Sequence, residues 1–77
     1  MVIAFVLINT VPGKESEVFK KLSQLENVSE VYTLFGEYDM IVKIETKDYS
    51  QLESMVLDRI RTMPSIVDTK TLTGIKL

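Results

Sequence analysis

The sequence predicts an α+β domain built from the element order β-α-β-β-α-β. Three observations carry that expectation. Strand-length apolar runs open the chain at Val2–Ile8 and recur at Val31–Phe35 and Met40–Ile44, within strands expected over Val28–Phe35 and Tyr38–Glu45, and a branched and polar alternation closes it from Ile66 to Leu77. Two stretches with helical spacing, from Lys14 to about Glu26 and from about Ser50 to Thr62, separate the first strand from the second and the third from the fourth. Between the second and third strands there is only Gly36-Glu-Tyr-Asp39 with its flanks, a glycine beside polar residues, which marks a β-hairpin tip.

Taken in order, Val2–Ile8 is apolar at every position and rich in branched residues, as befits a strand covered on both faces, and the run stops at Asn9-Thr10. Pro12-Gly13 ends it, and Glu15 and Glu17 behind that break suit a helix N-terminus, where acids favour the dipole. In the first helix Val18, Leu22 and Leu25 form one apolar stripe with Phe19 beside it, and Asn27 closes the element by tolerating a left-handed conformation. In the third strand Met40, Val42 and Ile44 share one face, while Asp39, Ile41, Lys43 and Glu45 share the other. Asp48 and Ser50 are alternative N-caps for the second helix, followed at capping-box distance by Gln51 and Glu53. Leu52, Met55, Val56, Ile60 and Met63 make that helix's buried side, and Pro64 ends it. Thr69, Thr71 and Thr73 share one face of the closing strand.

This order is the ferredoxin-like arrangement, a four-stranded antiparallel sheet with two helices on one face and the first and third strands in the centre. Residues 1–77 make one domain. Such a small core is marginal alone, and with no cysteine and no histidine the chain has neither disulfides nor thiolate or imidazole metal sites to reinforce it. Self-association is the remaining route. The helices cover one sheet face, yet the first strand is apolar on both, and burying a second set of residues of the Ile3, Phe5 and Leu7 kind is worth about 1.5–3 kcal/mol per side chain. The open face therefore calls for a second copy, giving a homodimer and a larger closed assembly.

The formal charge is −2 with no basic cluster beyond Lys20-Lys21, which argues against direct nucleic-acid binding. The seven-residue run Val2–Ile8 is too short to cross a bilayer and lacks the flanks of a secretory signal, so the expectation is a cytoplasmic protein with no membrane partner. Without His, Cys or Trp, and with its acids dispersed, the chain shows no catalytic or metal-ligating constellation and no cofactor motif. An enzyme is not expected. The lack of His and Trp also counts against a small monooxygenase on a dimeric barrel. Tyr32 and Tyr38 lie close to the hairpin and suit an interface or a small-ligand pocket.

The stretch from Leu25 to Val28, then Val31-Tyr-Thr-Leu-Phe-Gly36-Glu-Tyr-Asp39-Met-Ile-Val-Lys-Ile44, the closing Val67-Asp-Thr-Lys-Thr71-Leu, and Pro12-Gly13 together resemble the C-terminal effector (RAM) domain of Lrp/AsnC-type regulators. The resemblance spans the whole chain. It implies an amino-acid-binding and oligomerisation module on a dimeric α+β barrel, assembled further into a ring of dimers, with the ligand between neighbouring dimers near the Gly-x-Tyr-Asp loop. Carried over by position, Gly36 with its backbone and Asp39 meet the ligand's carboxylate and α-amino groups, and Thr33, Leu34 and Tyr38 line the cleft. Leu72, Thr73 and Gly74 correspond to a closing-strand segment to which the family's effector response is sensitive. Full-length regulators begin with a helix-turn-helix, whereas Met1 here leads straight into the first strand, so the resemblance is to a stand-alone domain, either an amino-acid sensor or carrier in its own right or an indirect modulator of transcription regulators that co-assembles with a full-length relative. Two alternatives are an assembly scaffold without a small ligand and an ACT-like amino-acid domain, whose ligand glycine follows the first strand, a place Gly13 could fill.

Overall fold

A computed structural model of the chain describes residues 1–75. Its elements are β1 (Val2–Thr10), α1 (Glu15–Ser23), β2 (Val28–Thr33), β3 (Met40–Thr46), α2 (Tyr49–Ser54) running into a π-helical segment (Met55–Ile60), and β4 (Ile66–Thr73). The sheet order is β2-β3-β1-β4, antiparallel at each contact, so the two most apolar strands are central as expected. Alternation along β1 and β3 sends Ala4, Val6, Ile8, Met40, Val42 and Ile44 into the layer under the helices, all fully buried, where they meet Val18, Leu22, Leu52, Val56 and Ile60.

Local chemistry explains most boundaries. Asn27 adopts φ +74° after α1 and lets the chain reverse into β2, and its side-chain amide donates to the Glu45 carbonyl at 3.1 Å. Of the two candidate caps, Asp48 is the one used. Its Oδ1 accepts from the Gln51 N–H at 2.8 Å, while Gln51 Oε1 reaches back to the Lys47 N–H at 2.9 Å. Beside Pro64, Ser65 turns the chain into β4 with φ +74° and accepts from the Val11 N–H at 2.8 Å.

Several elements are shorter than the sequence pattern suggests. The second strand stops at Thr33 and the third starts at Met40, because Leu34 to Asp39 form a loop closed by the Leu34 N–H donating to the Asp39 carbonyl at 2.8 Å. The first helix ends at Ser23, before the expected Glu26. The second is not one α-helix over Ser50–Thr62. From Met55 it widens into a π turn, with the Arg61 N–H donating to the Val56 carbonyl at 2.9 Å, and it ends at Ile60. The closing strand ends at Thr73, and the part of its expected span at 76–77 lies outside the described residues.

Candidate functional site

The hairpin tip is built by anchoring rather than by packing. Gly36 sits at φ +133°, a conformation that side chains resist, with open space around it, and Phe35 beside it is fully exposed. The tip is held from below by Asp39. Its Oδ2 accepts from the Thr10 N–H at 2.8 Å and faces the Thr10 hydroxyl at 3.4 Å. Its own N–H is shared between the Ile8 carbonyl at 3.0 Å and Asn9 Oδ1 at 3.1 Å. Asp39 therefore pins the β2–β3 loop to the end of β1. Asn9 and Thr10, which in the sequence only mark the end of an apolar run, are the residues that receive it. Nothing local in the sequence signals that pairing, because 29 and 30 residues separate the partners.

Above this anchor the main chain is open. Among the described residues, the N–H groups of Phe35, Gly36, Glu37 and Tyr38 have no acceptor, and neither does Asp39 Oδ1 have a donor. Thr33 and Leu34 flank the loop, exposed, and Tyr38 is half-buried beside Asp39. The tip thus offers several donors and one carboxylate oxygen within a few residues.

The remaining expected site residues are not brought here by one chain. Leu72 pairs with Phe5 and points to the open sheet face, and Thr73 pairs with Ala4 on the helix side. Gly74 lies so close to β1 that its N–H donates to the Ile3 carbonyl at 2.7 Å and a Cβ would stand 3.1 Å from that oxygen. Asp39 bonds to Ile8 and Gly74 to Ile3, five residues apart along β1, so the two groups are separated by about 17 Å at the strand rise of ~3.4 Å per residue. A site that uses both needs more than one chain.

A second concave region went unremarked in the sequence. On the helix side α1 lies over β2 and α2 over β3 and β1, which leaves β4 at the edge uncovered. Thr69 and Thr71, opposite Ile8 and Val6, face the helix layer but remain accessible. The groove between β4 and the π segment has a mainly apolar stretch of about 420 Å³ lined by Tyr49, Leu52, Glu53, Val56, Leu57 and Thr71. A polar stretch of similar size holds Arg61, Asp68 and Thr69, and the two meet at Val56 and Thr71. No local signal marks it, since Thr69, Thr71 and Thr73 alternate as in any strand.

The open sheet face carries Ile3, Phe5, Leu7, Ile41, Tyr32 and Leu72, all half-buried or exposed. At its β2 edge the Tyr32 hydroxyl donates to Glu30, whose other carboxylate oxygen lies 3.5 Å from Lys43 Nζ. The bond from Tyr32, with Lys43 adding to it, holds the Glu30 carboxyl below its usual range, and the same carboxylate raises the Tyr32 phenol.

Sequence and structural comparisons assign this architecture. Residues 3–76 match the Lrp/AsnC ligand binding domain. The chain belongs to the Lrp/AsnC family. It is 42% identical over 74 residues to the HTH-type transcriptional regulator FL11 of Pyrococcus abyssi, covering 96% of this chain and 48% of that protein. The chain thus spans about half the length of the curated regulators it matches. The crystal structure of FFRP-DM1 superimposes with a TM-score of 0.95 at 45% identity, covering 97% of this chain and all of that one. A shorter stretch of 54 residues, 70% of this chain, is 35% identical to 12% of a homocitrate synthase from Sulfurisphaera tokodaii. Among the described residues no group of acids could hold a metal ion, and no helix is long and apolar enough to cross a membrane.

Proposed function

We propose that this Lrp/AsnC domain is an effector sensor that binds a free amino acid at the hairpin tip and acts through assembly with other copies. The observation that carries the reading is the tip itself, a run of unpaired main-chain N–H groups from Phe35 to Tyr38 beside the unpaired Oδ1 of Asp39. Oriented N–H groups hold a carboxylate, and a carboxylate oxygen accepts from an ammonium, so the pair matches the two charged ends of an α-amino acid. Thr33, Leu34 and Tyr38 flank the ligand, and Leu72, Thr73 and Gly74 come from a neighbouring chain, since one chain holds them about 10–17 Å away along the strand direction, on the far side of β1.

The surroundings agree with a sensing role. The open apolar face takes a second copy, and dimers join further into a ring. A net charge of −2 supports no direct contact with nucleic acid, so influence on transcription passes through a full-length regulator of the same family that shares these surfaces. A stretch resembling this domain occurs both within an HTH-type transcriptional regulator and within a small part of a homocitrate synthase, which fits a module that senses an effector rather than one that performs either protein's chemistry. The protein is not an enzyme and works in the cytoplasm.

Calorimetric titration of the assembled protein with each of the twenty amino acids tests the reading. Saturable heat is expected with one or a few of them. Asp39→Asn keeps an acceptor for the Thr10 N–H but removes the charge, so it should lower affinity about tenfold or more, in line with 1.5–3 kcal/mol for a charged hydrogen bond, while the melting temperature changes little. No heat with any amino acid would leave the scaffold reading in its place.

A further inference from the structure

The last strand leaves one side of its main chain without a partner. β4 stands at the end of the order β2-β3-β1-β4 and pairs with β1 alone. The Gly74 N–H donates to the Ile3 carbonyl, and an antiparallel ladder alternates, so the N–H and C=O groups of Leu72, Lys70 and Asp68 turn toward β1. Those of Thr69, Thr71 and Thr73 turn outward. An unpaired row of this kind is a template for another strand. No helix shields it, since α1 and α2 lie over the other strands. The opposite edge suits pairing less well, because β2 has six residues and a register shift between Val28 and Glu30. β4 has eight, and its own shift lies near its start, where Thr10 meets Ile66.

The charges on β4 select one partner and one register. Two copies related by a two-fold axis pair antiparallel, and few registers keep the outward groups facing each other. Centring on Lys70 sets Lys70 against Lys70, and centring on Asp68 sets Asp68 against Asp68. Centring on Thr71 shortens the overlap and pairs no charges. Centring on Thr69 places Asp68 of each copy directly opposite Lys70 of the other. There the two form a non-hydrogen-bonded pair, about 4.5 Å apart at Cα, where side chains approach most closely. Asp68 and Lys70 are exposed, and among the described residues neither has an ion-pair partner in its own chain.

We propose that β4 pairs antiparallel with β4 of a second copy, centred on Thr69 and held in register by reciprocal Asp68–Lys70 pairs. The joint continues the four-stranded sheet of one chain into that of the next and uses no part of the hairpin tip. It rests on the assembly part of the proposed function, because one strand pair with exposed ion pairs holds little by itself. It joins chains that the open sheet face has already gathered.

Disulfide trapping tests the register, and the chain has no cysteine of its own to confuse it. Thr69→Cys sets two thiols at the proposed axis, about 5.5 Å apart at Cα and within disulfide reach. Thr71→Cys sets them several residues apart along the joint, although Thr71 is the more exposed position. Mild oxidation at micromolar concentration and non-reducing electrophoresis should give a disulfide dimer with Thr69→Cys and almost none with Thr71→Cys. Adding Asp68→Lys or Lys70→Asp to Thr69→Cys should lower the dimer yield severalfold, through like charges set opposite each other, and adding both should restore it. Circular dichroism should stay unchanged throughout. No dimer with Thr69→Cys, as much with Thr71→Cys, or a double charge swap no better than the single ones would overturn the joint. If the wild-type chain still sediments as a dimer, such a result leaves the assembly of the proposed function standing. A wild-type monomer together with no trapped dimer would overturn both.

Discussion

The two faces of one sheet carry the same kinds of residue and meet different fates. Ile44 and Ile41 lie on the same strand, three residues apart. Ile44 is fully buried beneath the helices, whereas Ile41 stands half-buried on the open side beside Leu7 and Tyr32. Along β1 the contrast repeats, with Val6 buried and Phe5 and Leu7 open. The chain supplies the cover for one face in its own helices and leaves the other, where Ile3, Phe5, Leu7 and Ile41 stand among Lys43, Glu45 and Lys70, without one. The difference teaches that apolar patterning states how many faces are to be buried, and not by whom. In a domain of 77 residues the second cover is supplied most economically by another copy.

Substitutions on the two faces should separate these roles. Ile44→Ala opens a cavity in the helix-covered core, where neighbours are fixed, and should cost about 2–5 kcal/mol in denaturant unfolding at every protein concentration. Ile41→Ala makes the same chemical change on the open face. It should leave the unfolding of dilute protein within about 1 kcal/mol and act mainly by weakening self-association, seen as a smaller rise of melting temperature with concentration. Equal losses from both variants at low concentration would erase the distinction between the faces.

The smallest effect concerns the polar rim of the open face. The Glu30 carboxyl is held below its usual value of 4.5 by the Tyr32 hydroxyl and then by Lys43. A lowered folded-state value means that the contribution is present above the ordinary carboxylate range and lost as pH falls through the lowered pKa. Tyr32 is raised above 10.0 by the same contact, so its share is present below that value and lost as pH rises through the raised pKa. Both groups are exposed, and the effect is small. Thermal unfolding of wild type and Glu30→Gln should differ slightly at neutral pH and converge as pH falls through the lowered carboxyl pKa. A difference that grows in acid would reverse the assigned sign.

The fold was legible because its signals are local or periodic. The alternation of Met40, Val42 and Ile44, the stripe of Val18 and Leu22, and the turn chemistry of Asn27 and Asp48 each act within a few residues. The apolar side of the second helix was equally legible, but not its π turn, since i→i−4 and i→i−5 ladders both turn Met55, Val56 and Ile60 inward. The site was less legible. Gly36 and Asp39 stood out as turn residues, yet the binding of Asp39 to Thr10 and Asn9 depends on β1 lying next to β3, which no local pattern encodes. The groove at β4 escaped notice for the same reason. It exists because no helix lies over an edge strand, and a strand's place in the sheet is a property of topology rather than of its own residues.

The central claim is that the open sheet face belongs inside an assembly of copies. Sedimentation velocity of the wild-type chain and of Leu7→Lys, at micromolar concentration, tests it most directly. The account predicts a dimer or a larger species for wild type and a folded monomer for Leu7→Lys, because the new charge replaces an apolar contact and stands beside the like charge of Lys70. A wild-type chain that sediments as a monomer, or a Leu7→Lys chain that assembles unchanged, would contradict it.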